Sequence, residues 1–180
     1  MPENPRYEAI ETDRLRLLPH TGEQLLALIE RPDLYEQLSG FPAAAGLREF
    51  FVSGEVSQAF IDSLRSIDGA DPWRLGFAVL DPEVHSIVGS AGFKGPVDAD
   101  GVVEIAYGIA PAFQGRGYAT EVARALIDFV REQSSARTIR AHTLPEPNAS
   151  TKVLGRCGFE FRGEVMDPED GRVWRWERNA

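Results

Sequence analysis

Apolar residues recur at helical spacing in the first third of the chain and in short alternating runs thereafter. The stretch ETDRLRLLP (11–19) alternates polar and apolar residues and predicts a first strand. Thr21 and Gln24 form a capping box for a helix carrying Leu25, Leu26, Leu28 and Ile29, which Pro32 interrupts. Val56, Phe60, Leu64 and Ile67 share one face of a second helix within 49–67. After DPW the runs RLGFAVL (74–80), SIVGSAGFKG (86–95) and VVEIAYGIA (102–110) read as strands. The turns between them, DPEVH and PVDADG, are dense enough to predict an antiparallel meander.

The rest of the chain interleaves helices and strands. YATEVARALIDFVREQ (118–133) carries a helical stripe of Val122, Leu126, Phe129 and Val130, with Glu121 near the positive end of the helix dipole. TIRAHTL (138–144) is a strand, and the intervening helix makes it parallel to its predecessor. NASTKVLGRCGF (148–159) predicts a short helix opened by Asn148 and closed near Gly158. The tail reads as a hairpin about Asp167 to Gly171. Two helices followed by β-β-β-α-β-α-β-β predict an α/β fold around one sheet, with a single domain over 1–180.

Composition narrows the partners more than the fold. The hydrophobic share is 43% and the charged share 26%, as in a globular protein. A net charge of -9, from 28 acidic and 19 basic residues, disfavours nucleic acid as a partner. It suits a cationic substrate, and equally it is ordinary solubility chemistry. The single cysteine, Cys157, excludes an intramolecular disulfide and reads as a buried structural thiol. His20, His85 and His142 lack metal-ligand spacing, so no metal is expected. The N-terminus has no signal-peptide core, and no apolar run approaches a membrane span; a cytoplasmic protein without a membrane partner is expected.

The candidate chemistry begins at FQGRGYATE (113–121). Gly115 and Gly117 permit positive φ, and successive amides leading into a helix N-terminus make a seat for a phosphate. Arg116 can add a charge at the rim. There is no Walker ending, and Thr120 stands where a dinucleotide fingerprint needs its third glycine or alanine. On its own the loop is as readily a tight turn.

The longer run IAYGIAPAFQGRGYATE resembles the acyl-CoA loop of the GNAT superfamily of N-acetyltransferases. Gln114, Gly117 and Ala119 match its glutamine-or-arginine, x, x, glycine, x, glycine-or-alanine pattern. NASTKVLGRCGF is similar to that family's later helix, and ETDRLRLLP is similar to the opening of its ribosomal-protein alanine acetyltransferase-like subgroup. The resemblance implies a mostly antiparallel sheet splayed at its middle, flanked by helices, with acetyl-CoA in the gap and no metal. It implies a bulge in VVEIAYGIA that frees backbone groups near Ile109. The implied cofactor contacts are Ile109, Ala110, Gln114, Gly115, Arg116, Gly117, Tyr118, Ala119 and Thr120, joined by Asn148 and Ser150 on the later helix.

By the same resemblance, the chain transfers an acetyl group to a primary amine, a peptide N-terminus or a small-molecule amine, by direct attack in a ternary complex. A catalytically inactive acyl-CoA sensor is the alternative. Glu104, the only acid in VVEIAYGIA, is the implied general base. Ser150 is the implied thiol contact or proton donor, and equally a helix-cap hydroxyl. The family's later-helix tyrosine is missing, since Leu154 and Gly155 stand there. Phe50, Phe51 and Phe60 wall an acceptor pocket or are simply core, and Trp174 and Trp176 read as packing. Family members occur as monomers and as homodimers.

Overall fold

A computed structural model describes residues 7–52 and 57–180 of the chain. Strands β1 (Ile10–Glu11), β2 (Arg16–Pro19), β3 (Phe77–Asp81), β4 (Ser86–Phe93), β5 (Val102–Ile109), β6 (Thr138–Thr143), β7 (Glu160–Asp167) and β8 (Gly171–Asn179) form one open sheet. Their spatial order is β1-β2-β3-β4-β5-β6-β8-β7, and only β5 and β6 run parallel. The described helices are α1 (Gly22–Glu30), α2 (Pro32–Ser39), α3 (Glu49–Val52), α4 (Gln58–Ser66), α5 (Pro72–Leu75), α6 (Tyr118–Gln133) and α7 (Ala149–Arg156). The parallel pair needs a crossover, and α6 supplies it.

Every residue of β3 is buried, because helices cover both faces of the sheet there. Phe77 and Val79 join the core beneath α6, while the alternate Ala78 and Leu80 pack under α1 and α2. The α6 stripe is buried as its spacing predicts, and the Phe129 ring lies 5.1 Å from Trp73 and 5.3 Å from Phe77. That aromatic contact fixes the helix against the meander.

Three predicted elements divide. The 11–19 strand breaks at a turn in which Thr12 Oγ1 donates to Leu15 O at 2.9 Å, leaving β1 and β2. The 49–67 helix becomes α3 and α4; Val56 lies outside the described residues. Arg74 and Leu75 belong to α5, which Asp71 caps and Pro72 starts, and not to β3. Gly76, at φ 68, then turns the chain so tightly that a Cβ would meet Ala91 O at 2.4 Å. Pro32 starts α2 at its first turn, where its missing N–H has no helical role.

The feature that positions the site is the parting of β5 from β6. Their ladder covers Val102↔Thr138, Val103↔Ile139 and Glu104↔Arg140. Beyond it β5 stays with β4 through Ile109, while β6 stays with β8 through Thr143. The expected bulge in β5 is absent: its register with β4 is regular, and the shifts fall at Val79/Leu80 and Phe161/Gly163. Gly89 lets β4 and β5 approach closely here, since a Cβ there would meet Gly108 O at 2.6 Å. Divergence, not a bulge, frees the β5 edge.

Candidate active site

A cavity of about 340 Å³ fills the wedge between the parted strands. Glu104, Ile105, Ala106 and Tyr107 line it from β5, Ala141 to Thr143 from β6, and Ser150 and Leu154 from α7. Glu104 sits at the point of the wedge, the last residue of the ladder. Its side chain is 18% exposed, sheltered yet reachable.

Glu104 has partners that local sequence does not reveal. Its Oε1 lies 2.9 Å from His142 Nδ1 and 3.3 Å from Lys94 Nζ. Arg175 Nε donates to His142 Nε2 over a long 3.3 Å. Arginine can only donate, so this contact assigns the lone pair to Nε2 and the proton to Nδ1, which then donates to the carboxylate. Lys94 also reaches Asp170 at 3.2 Å, in the β7–β8 turn. Burial by itself would lower the Lys94 ammonium; the carboxylates of Glu104 and Asp170 outweigh it and hold the group above its usual range.

The glycine loop follows the far end of β5 and opens α6. Gly115 and Gly117 adopt φ of 76° and 80° with no neighbour against a Cβ nearer than 3.4 Å, so conformation rather than space requires glycine. Gly117 is the N-cap of α6, and the first helical bond there is Glu121 N to Gly117 O, so the amides of Tyr118, Ala119 and Thr120 precede it. Arg14 braces the loop: its Nη1 donates to Arg116 O at 2.8 Å, its Nη2 pairs with Glu121 Oε2 at 2.7 Å, and its guanidinium lies 4.8 Å above the Tyr118 ring. Burial would raise the Glu121 carboxyl, but hydrogen bonds from Thr12 and Arg14 hold it below its usual value.

Several expected contacts are already committed. Ile109 O accepts from Gln114 Nε2 at 2.9 Å, and Ala110 N donates to Val88 O at 2.8 Å. The even residues of β5 bond β4, so the edge that β6 leaves unpaired runs through Ile105, Tyr107 and Ile109, where Ile109 O is already taken by Gln114. The Tyr118 hydroxyl donates to the buried Asp81 at 2.7 Å, which leaves the Tyr118 amide for the loop. Asn148 caps α7 through Thr151 N, Arg116 folds over Phe113, and Ser150 faces the wedge. Cys157 is buried.

A second cavity of about 700 Å³ adjoins the wedge from the side of α3 and α4. Phe50, Phe51, Phe60, Phe93 and Leu75 give it apolar walls, with Glu49 and Arg74 also lining it. Gly108 is part of its construction: the Phe50 ring lies 3.0 Å from where a Cβ would stand. The free strand edge of the wedge and the amides of the glycine loop lie at the two ends of the same stretch of chain, β5 and the turn that follows it. The Tyr107 hydroxyl is buried without a partner among the described residues.

Comparison with known proteins agrees. A profile of the acetyltransferase (GNAT) domain matches residues 14–160. The uncharacterized N-acetyltransferase p20 of Bacillus licheniformis is 28% identical over 96 residues, 53% of this chain and 54% of its own length. The uncharacterized N-acetyltransferase YjdG of Bacillus subtilis is 29% identical over 91 residues, 51% and 52% of the two lengths. The match thus spans about half of these curated relatives. The fold resembles RimL, a ribosomal L7/L12 α-N-protein acetyltransferase solved with coenzyme A, at TM-score 0.66 and 15% identity over 96% of this chain and 98% of that one. It also resembles the ribosomal-protein-S5-alanine acetyltransferase of Vibrio fischeri, at TM-score 0.65 and 16% identity over 96% and 97%. With the domain profile covering most of its length, the chain belongs to the GNAT acetyltransferase family.

Proposed function

We propose that the chain transfers an acetyl group from acetyl-CoA to a primary amine by direct attack, with Glu104 as the base. One juxtaposition carries the reading: a sheltered carboxylate at the point of the wedge, and an apolar pocket on the same face of β5. Glu104, Ala106 and Gly108 alternate on that face, about 7 Å from one to the next. Ala106 is exposed there and lines both cavities.

Acetyl-CoA supplies a thioester, whose carbonyl carbon receives the amine nitrogen and whose sulfur departs. A protein α-amine or lysine arrives mostly protonated, with ordinary values near 8 and 10.4. Glu104 removes that proton before attack, directly or through one water, and as the C–S bond breaks the nitrogen gives up its second proton to the departing thiolate or to water. His142 and Lys94 both hold Oε1, so Oε2 is the oxygen assigned to the incoming proton. At the loop, the amides that open α6 bind the pyrophosphate, and Gln114, Arg116 and Asn148 flank the arm.

Gly117→Val tests that seat. A non-glycine residue at φ 80° carries about 1–2 kcal/mol of strain, and its methyls crowd the amides. Acetyl-CoA affinity, read by isothermal titration, should fall at least about tenfold. Unchanged affinity would make the loop a turn and nothing more.

The acceptor carries its amine on an apolar scaffold, because the second cavity is walled by aromatic rings. Neighbours of the fold that acetylate ribosomal proteins make a peptide α-amine the first class to try. A screen by thiol release should favour amines with an apolar neighbouring group over acidic or basic analogues by about tenfold, the discrimination expected from burying one side chain. Acetyl-CoA should bind in preference to ATP. The reading fails if ATP binds as well, or if no amine releases thiol.

A further inference from the structure

The turn between β1 and β2 converges on one carboxylate in the first turn of α6. Glu121 Oε1 accepts from Thr12 Oγ1 at 2.6 Å and from Arg14 N at 2.8 Å. Its Oε2 accepts from Arg14 Nε at 2.9 Å and pairs with Nη2 at 2.7 Å. The Glu121 side chain is 14% exposed, and it seats the guanidinium so that Nη1 reaches Arg116 O at 2.8 Å. That last bond acts on a peptide flanked by glycine. In a planar trans peptide the C=O and the following N–H point in opposite directions. Holding Arg116 O therefore also fixes the direction of Gly117 N–H. Gly117 stands at φ 80°, and glycine takes either sign of φ, so without Arg14 this peptide can turn over. Gly117 N bonds no backbone carbonyl among the described residues, which leaves it free for a ligand.

On the acetyltransferase reading above, we infer that Arg14 is a positioning residue for the phosphates of acetyl-CoA: seated by Glu121, it holds Arg116 O and so aims Gly117 N–H into the seat that opens α6. The N-terminal turn thus shapes a binding loop about a hundred residues further along the chain. Arg14 acts through the backbone and touches no phosphate itself. Thr12 and Glu121 serve the same end, one by gripping the carboxylate and the other by gripping the guanidinium.

Two substitutions separate aim from charge. Arg14→Met removes a cation near the seat, so lost attraction and lost aim both weaken acetyl-CoA. Glu121→Gln removes a carboxylate from the same turn. Its amide has one oxygen to meet four donors, so the clamp opens while the seat becomes less negative. Charge alone then predicts tighter binding, and so does direct contact between a released Arg14 and phosphate. Lost aim predicts weaker binding. Isothermal titration with acetyl-CoA should show Kd about tenfold higher in Arg14→Met, the scale of one hydrogen bond to a charged group, and more than about threefold higher in Glu121→Gln. Turnover at saturating acetyl-CoA should change less than about threefold in either, so the loss falls on KM. A Kd within about threefold of the parent in either variant, or a tighter one, overturns the inference. Glu121→Gln decides alone if Arg14→Met does not fold. A parent that binds acetyl-CoA and acetylates no amine would sink the acetyltransferase reading alone, because the two affinities still decide the clamp. A parent that binds no acetyl-CoA overturns both.

Discussion

Glu104→Gln should lower turnover by about two to three orders of magnitude and change acetyl-CoA affinity by less than about threefold. The glutamine keeps an oxygen that can accept from His142 Nδ1, so the side chain stays in place. What it loses is the capacity to take a proton and the charge that faces Lys94 at 3.3 Å. Glu104 stands about 17 Å along β5 from Ile109 and the loop that follows, too far for the loss to reach the phosphate seat directly. Steady-state rates beside titration with acetyl-CoA give the split. Equal loss of affinity and rate would reassign Glu104 to binding; a parent-like rate would move the base elsewhere. A parent that binds acetyl-CoA and never turns over would be a sensor.

The second large effect belongs to stability. Acidification from about pH 6.5 to pH 4 should remove about 3 kcal/mol through His20 alone. His20 is buried beside Tyr35, 3.0 Å from its hydroxyl, and burial lowers its ionisation from 6.5 to about 4. In that window the unfolded chain holds a proton that the native chain refuses. More protons bound by the unfolded state means that stability rises with pH, so it falls on acidification and levels below about 4. Carboxylates such as Glu121, held low in the fold, add a loss at still lower pH. His20→Gln isolates the histidine: it should be the weaker protein at pH 7 and show a flatter urea-derived stability between pH 6.5 and 4. Parallel curves for the two proteins would exclude His20 as the source.

Local pattern carried the meander, α6 and the glycine loop, because each is written in residues a few positions apart. Pairings across the fold were hidden. His142 looked isolated, yet it lies on the polar face of β6 with Thr138 and Arg140, the alternate residues Ile139 and Ala141 being buried. The parallel pairing of β5 and β6 was legible; the register that sets Glu104 against Arg140, and hence near His142, was not. That alternation was the available signal. Arg14 offered none, since its partner Glu121 is 107 residues away. The break at Gly76 was missed because a close approach between backbones leaves no mark in hydropathy.

Sheets usually carry their unpaired strands at the margins, where any extended chain can attach and seed aggregation. Here an unpaired margin lies in the middle of the sheet, in a cavity of about 340 Å³ flanked by α7. A second protein's strand, with side chains on both faces, cannot enter so small a space. A slender chain with widely spaced amides can. Besides the outer edges at β1 and β7, the fold thus keeps a stretch of unpaired strand where another strand cannot reach it.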